Sequence, residues 1–325
     1  MRGWIIALTV SALTLALGGE LAAASLEPVR QMLSAGRVDD ALKALQARLE
    51  SGSRDAEAYH LQSRAYLALK NWSKAAEAAE RAVALEPNNS NYHMWLGRAY
   101  GEKASHSNFF TAAGLAGKVR SEFERAVELD AANVAARSDL AEFYIEAPGI
   151  MGGGKDKARA QAEQLAGRDT AAAHWVRARL AEKDKKYDEA EKEYRAATQG
   201  KSGQAGAWLN LASFYRNRGR LPEMESAINK AVAAMTGKDG HVLVDAASLL
   251  LVAGRNFALA EQLLRRYLNS ESPVAEAPVF QARYLLGTIL EKQGDSDGAA
   301  TQYEAALSLA GNYEEAEKAL KRVRR

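Results

Sequence analysis

Small residues return along this chain in one phase, and that rhythm limits the fold more than any other feature. Ala41, Ala75, Ala158, Ala190, Ala260 and Ala299 each stand seven residues before a second position. That position holds Ala82, Leu165, Ala197, Tyr267 and Ala306 where the helix is clearest, and the spacing clusters near about 34 residues. A unit of this length, read as two helices and a turn, cannot bury its apolar face alone, so it must stack on its neighbours. Long stretches are dominated by Ala, Leu, Glu, Lys and Arg, the residues that cost least in a helix. Only 6 prolines interrupt them, and no alternating run of Val, Ile or Thr reads as a strand. The expectation is an all-α array whose concave surface is offered to a partner.

Composition narrows the function classes. Lys and Arg total 43 against 41 Asp and Glu, so no overall field favours nucleic acid or an anionic membrane. Cysteine is absent, which removes disulfides, thiolate catalysis and cysteine metal sites. Residues 1–24 differ from the rest: Arg2 is followed by an uncharged apolar stretch from Trp4 to Leu17, then by Ala22, Ala23 and Ala24 before Ser25. This has the form of an export signal cleaved after Ala24. The uncharged stretch is shorter than the roughly 20 residues that span a bilayer, so no stable membrane insertion is expected after cleavage. An export signal with alanine-rich repeats suggests a bacterial periplasm.

About eight hairpins follow in a single solenoid from 25 to 325, with no linker long enough to divide it. Comparing ERAVALEPNN at 80–89 with ERAVELDAAN at 124–133 gives an offset of 44 residues, ten more than a plain repeat. An insertion is therefore placed at 101–118, containing Phe109 and Phe110. A second, at 147–154, contains Ile150, Met151, Gly152, Gly153 and Gly154. Both interrupt the turn between the helices of adjacent units and are expected to emerge together on one edge. The segment 313–325 reads as a capping helix, rich in Glu and Lys.

Segment 56–89 carries Tyr59, Tyr66, Trp72, Ala75, Ala82 and Pro87 at the aromatic, alanine and proline positions of a tetratricopeptide repeat. From about 26 to 310 the chain resembles that superfamily, and the double insertion resembles a group of exported bacterial repeat proteins of poorly defined role. The resemblance implies a right-handed superhelical solenoid doing adaptor or assembly work without catalysis, with a protein or peptide partner and no cofactor. The best-known peptide-binding members grip a terminal carboxylate with Lys and Asn. Here the second and third units offer His60, Arg64, Asn91 and Arg98 instead, so that clamp is not carried over.

Chemical motifs are sparse. Gly149 to Lys155 matches the opening of a phosphate-binding loop, but it follows a helix and continues with Asp156 where Ser or Thr would hold magnesium. Successive glycine amides there could instead form an anion nest. The five histidines show no metal-ligand spacing. On the groove-facing positions of the first helices the partner-binding candidates are His60, Arg64, Arg98, Glu142, Trp175, Arg179 and Tyr284. They form either a ladder of exposed ion pairs or a mixed groove that receives a carboxylate and an apolar side chain. The rival reading is a small-ligand carrier with a pocket near Phe109, Phe110, Ile150 and Met151.

Overall fold

The computed structural model describes residues 25–50, 54–200, 204–237, 239–270 and 273–324; the export signal read at 1–24 lies outside them. Among the described residues the elements are α1 (Glu27–Ser34), α2 (Val38–Glu50), α3 (Ala56–Ala68), α4 (Trp72–Leu85), α5 (Ser90–Ser105), α6 (Phe109–Leu129), α7 (Val134–Glu146), α8 (Lys155–Ala166) and α9 (Thr170–Lys183). They continue with α10 (Tyr187–Ala197), α11 (Gln204–Asn217), α12 (Leu221–Ala233), α13 (His241–Ala253), α14 (Phe257–Leu268), α15 (Val279–Gln293), α16 (Ser296–Leu307) and α17 (Glu314–Val323). One 3-10 turn, Gly149–Met151, sits between α7 and α8. The helices pack in successive pairs, α1 with α2 through α15 with α16, so the all-helical solenoid expected from the sequence is what forms.

The recurring alanines are the reason the pairs approach so closely. All six, Ala41, Ala75, Ala158, Ala190, Ala260 and Ala299, have 0% exposure, and Ala82, Leu165, Ala197, Tyr267 and Ala306, seven residues after the last five, are buried with them. In two pairs an aromatic on the second helix faces a glycine on the first. A Cβ on Gly97 would stand 2.6 Å from the Phe123 ring, and one on Gly287 would stand 2.6 Å from Tyr303. Side-chain oxygens of Asp55, Asn71, Asn89, Asn108, Asn133, Asp169, Asn256 and Asp295 accept amide hydrogens at the starts of eight helices, which fixes where each begins. In most pairs the turn uses a left-handed residue: Gly36, Gly219, Gly254 and Gly294 supply it, while Lys70 and Lys185 take it at φ 57° and 59°.

Neither insertion is a long loop. The ten extra residues of the third unit lengthen its helices, giving α5 16 and α6 21 residues with only a short connection between them. In the fourth unit the glycines fold into a tight turn. The amides of Gly152, Gly153 and Gly154 donate to the carbonyls of Gly149, Pro148 and Tyr144, so the suggested anion nest has no free donors at these three positions. Lys155 is engaged by Asp184. This turn lies against α6, where the Arg120 guanidinium fills the space beside Gly152.

The two ends of the array meet, which the repeat pattern alone does not foretell. Phe280 at 0% exposure and Tyr313 at 2% share one core with Leu33, Val38, Leu45 and Leu61. The Gln281 amide donates to the Ala68 carbonyl at 2.8 Å, and the Gly311 amide donates to Asp39 Oδ2 at 2.7 Å. Lys70 pairs with Glu315 at 2.8 Å. The first hairpin is therefore covered on both sides, by α3 and by α15 to α17, instead of presenting one face to water as an end cap. Burying both terminal apolar faces against each other removes the exposed ends that an open array must keep polar.

A candidate binding face on the first helices

Successive first helices, α3, α5, α7, α9, α11, α13 and α15, pack on one another, whereas among the described residues no successive pair of second helices makes comparable contact. The first helices therefore lie on the inner, tighter curve. Their exposed positions form the face that a partner would meet, and most of the candidate residues stand there.

At its amino-terminal end the face is built around Trp95. The guanidinium carbons of Arg64 and Arg98 lie 4.9 and 4.8 Å from the centre of its ring, a pair of cation–π contacts that holds both charges in fixed orientation. Arg64 also reaches Glu276 at 3.2 Å, and Arg98 reaches Asp139 at 2.6 Å. Burial pushes the Asp139 carboxyl up, with Arg98 pulling it back. The phase of the repeat aligns Arg64 with Arg98 and offers Glu142 as a partner to Arg98 alone. Asp139 and Glu276 escape it because one is a register position away and the other is far along the chain.

His60 is the exception among the candidates. At 4% exposure it is enclosed, its ring 5.1 Å from that of Tyr92 and 5.8 Å from that of Trp95. Burial, with Arg64 and Arg30 adding repulsion against the pull of Glu57, lowers its pKa to about 4, so it is neutral at pH 7. It supports Trp95 from behind and gives a partner nothing to touch.

Further along, Arg179 binds Glu142 at 2.6 Å, Glu146 at 3.0 Å and Glu182 at 3.2 Å, and Lys183 extends the network to Glu146. Burial opposes the charge on Arg179, but the hydrogen bond and charge of Glu142 outweigh it and raise its pKa. Glu142 and Arg179 thus form one rung of an ion-pair ladder, while Arg98 is turned to Asp139. Trp175 is half-buried at the junction of two core clusters. Tyr284 leans on Tyr303 and Tyr313, with ring centres 5.8 and 5.4 Å away, so packing uses most of it. Asp245 is exposed on α13 beside half-buried Leu249. Desolvation by the surrounding protein raises its carboxyl, and the charge of His241 pulls it back.

The insertion residues point elsewhere. Phe109, Phe110 and Ile150 are 66%, 85% and 91% exposed, so they stand in solvent and do not line an enclosed pocket. Met151, Gly152, Gly153 and Gly154 are half-covered in the turn. Among the described residues no group of three His, Cys, Asp or Glu could hold a metal ion. No helix there is long and apolar enough to cross a membrane.

A family described as tetratricopeptide repeat matches residues 56–89, and a second of the same description matches 152–205 and 245–310. Among solved structures the chain is similar to a tetratricopeptide repeat protein from Parabacteroides merdae, with 19% identity, 83% of this chain and 99% of that one covered, and a TM-score of 0.42. It is also similar to a thermophilic protein of the same repeat class in Thermus thermophilus, with 22% identity, 58% and 96% covered, and a TM-score of 0.47. No curated protein matches the chain.

Proposed function

Because the chain belongs to the tetratricopeptide-repeat superfamily, we propose that it is a non-enzymatic scaffold of the bacterial cell envelope that binds a protein or peptide along its first-helix face. The observation that carries this reading is the contrast between the two faces of those helices. Their buried positions are mostly apolar residues that pack helix on helix, whereas the positions turned to the inner face, half-buried or exposed, change from Arg64, Trp95 and Arg98 through Glu142 and Arg179 to Asp245 and Leu249. Packing does not require that variety, and a mixed surface of half-covered aromatics and oriented charges is what selective partner recognition uses. Localisation in the periplasm rests on the signal-like segment 1–24, and the mature amino terminus is then Ser25.

The test is quantitative capture from envelope extract with the mature chain and with an Asp245→Lys, Leu249→Asp double variant whose fold is verified by circular dichroism. A partner retained by the first and lost by the second supports the reading. Identical capture by both removes this face from recognition. Mass spectrometry of the native protein checks the address: an intact Met1 terminus in the membrane fraction contradicts it. The carrier alternative, with its pocket at the insertions, gains no support from side chains as exposed as Phe110 and Ile150.

A further inference from the structure

The place where the ends of the array meet encloses a pocket of about 170 Å³. Leu33, Val38, Ala65, Ala68 and Phe280 form its apolar wall, contributed by α1, α2, α3 and α15, so no single repeat contains it. An apolar cavity of about 150 Å³ is known to hold a benzene ring, which sets the size of what enters. The mouth is not apolar. Arg64 stands there, its side chain 23% exposed and its guanidinium braced on Trp95, facing Glu276, whose side chain is 62% exposed. An exposed carboxylate reaching a largely covered, pre-oriented guanidinium is a weak and displaceable partner. Arg64 donates to it through one nitrogen only, at 3.2 Å, leaving the planar fork available for a two-point contact.

We propose that this seam pocket binds a carboxylate attached to an apolar group no larger than about a benzene ring, with Arg64 taking the carboxylate in place of Glu276. The apolar group fills the space between Ala68 and Phe280. Two sources carry this chemistry, a free short-chain carboxylic acid and the last residue of another protein. The proposal goes beyond binding along the first-helix face, since the pocket is at the closure and not on the open surface near Asp245. Because both ends of the chain line it, an occupant contacts only the closed arrangement and stabilises the seam by mass action.

Calorimetry and amide-proton NMR on the full mature chain decide the matter, with isocaproate and N-acetyl-leucine as probes and their amides as controls. The acids bind and the amides bind at least about tenfold more weakly, because a neutral head loses the charge-assisted contact. Glu276→Gln tightens acid binding several-fold by removing the competitor, Arg64→Gln abolishes it, and Ala68→Leu blocks it by filling the space. Acid and amide binding equally, or Glu276→Gln leaving acid affinity unchanged, overturns the proposal, as does no binding of either acid at millimolar concentration. N-acetyl-leucine binding more tightly than isocaproate identifies a protein terminus as the source, and the reverse order identifies a free acid. Loss of probe binding in Ala68→Leu alongside normal partner capture separates this pocket from the face tested at Asp245 and Leu249.

Discussion

The Arg64 guanidinium and the Glu276 carboxylate meet at 3.2 Å although 212 residues separate them in sequence. Beneath this pair the first hairpin and the last repeat share one core, so stability that an open solenoid would pass from neighbour to neighbour has a second route across the seam.

Phe280→Ala tests that route. Removing a fully buried phenylalanine costs about 3–5 kcal/mol, and the cavity opens against Leu33 and Val38 as well as against α16 and α17. Hydrogen exchange should therefore accelerate in α1 and α2 together with α15 to α17. If only α15 to α17 responds, the ends do not support each other.

Lys185→Gly should stabilise the protein. Lys185 holds a left-handed conformation at φ 59° in the turn between α9 and α10, at a place where other units use glycine. Relief of the steric cost exceeds the added freedom of glycine in the unfolded chain by about 0.5–1 kcal/mol. Urea unfolding at neutral pH measures it, and a lower midpoint contradicts it.

His60 predicts an acid sensitivity. Its folded pKa of about 4 lies below the ordinary 6.5 because of burial, so the unfolded state binds more protons between those values. The stability is fully present above the unfolded value and declines as pH falls through that window, by about 3 kcal/mol at full effect. His60→Gln removes this component. The gap between wild type and variant should change by about 2 kcal/mol from neutral pH to near pH 4.5. A gap independent of pH sinks the assignment.

Tyr215→Phe probes a recurrent link between repeats. Tyr100, Tyr144 and Tyr215 donate to Glu80, Glu124 and Glu191 on the preceding second helix, at 2.6, 2.7 and 2.8 Å. Burial and then Glu191 push the Tyr215 hydroxyl up to about 12, so it stays a donor throughout the working pH range. Its loss costs about 1 kcal/mol, since Glu191 retains Arg195 and Arg220. Thermal unfolding of the variant measures it, and an unchanged midpoint shows that the hydroxyl adds nothing.

The repeat is legible in the amino-acid sequence alone. The phase of Ala41, Ala75, Ala158, Ala190, Ala260 and Ala299 is a local property, because each must fit between two helices a few residues away, and all are fully buried. The groove positions of Arg64, Arg98 and Arg179 followed from the same phase, as did the pairing of Glu142 with Arg179. That Arg64 faces Glu276, that His60 is enclosed, that the third unit's extra residues lengthen its helices, and that Phe280 and Gln281 reach the first hairpins depends instead on packing between distant repeats. Closure depends on the small rotation between successive units, summed over the whole array. A repeat pattern specifies which faces pack but not the angle at which they do so, and slight changes in that angle separate an open coil from a closed ring.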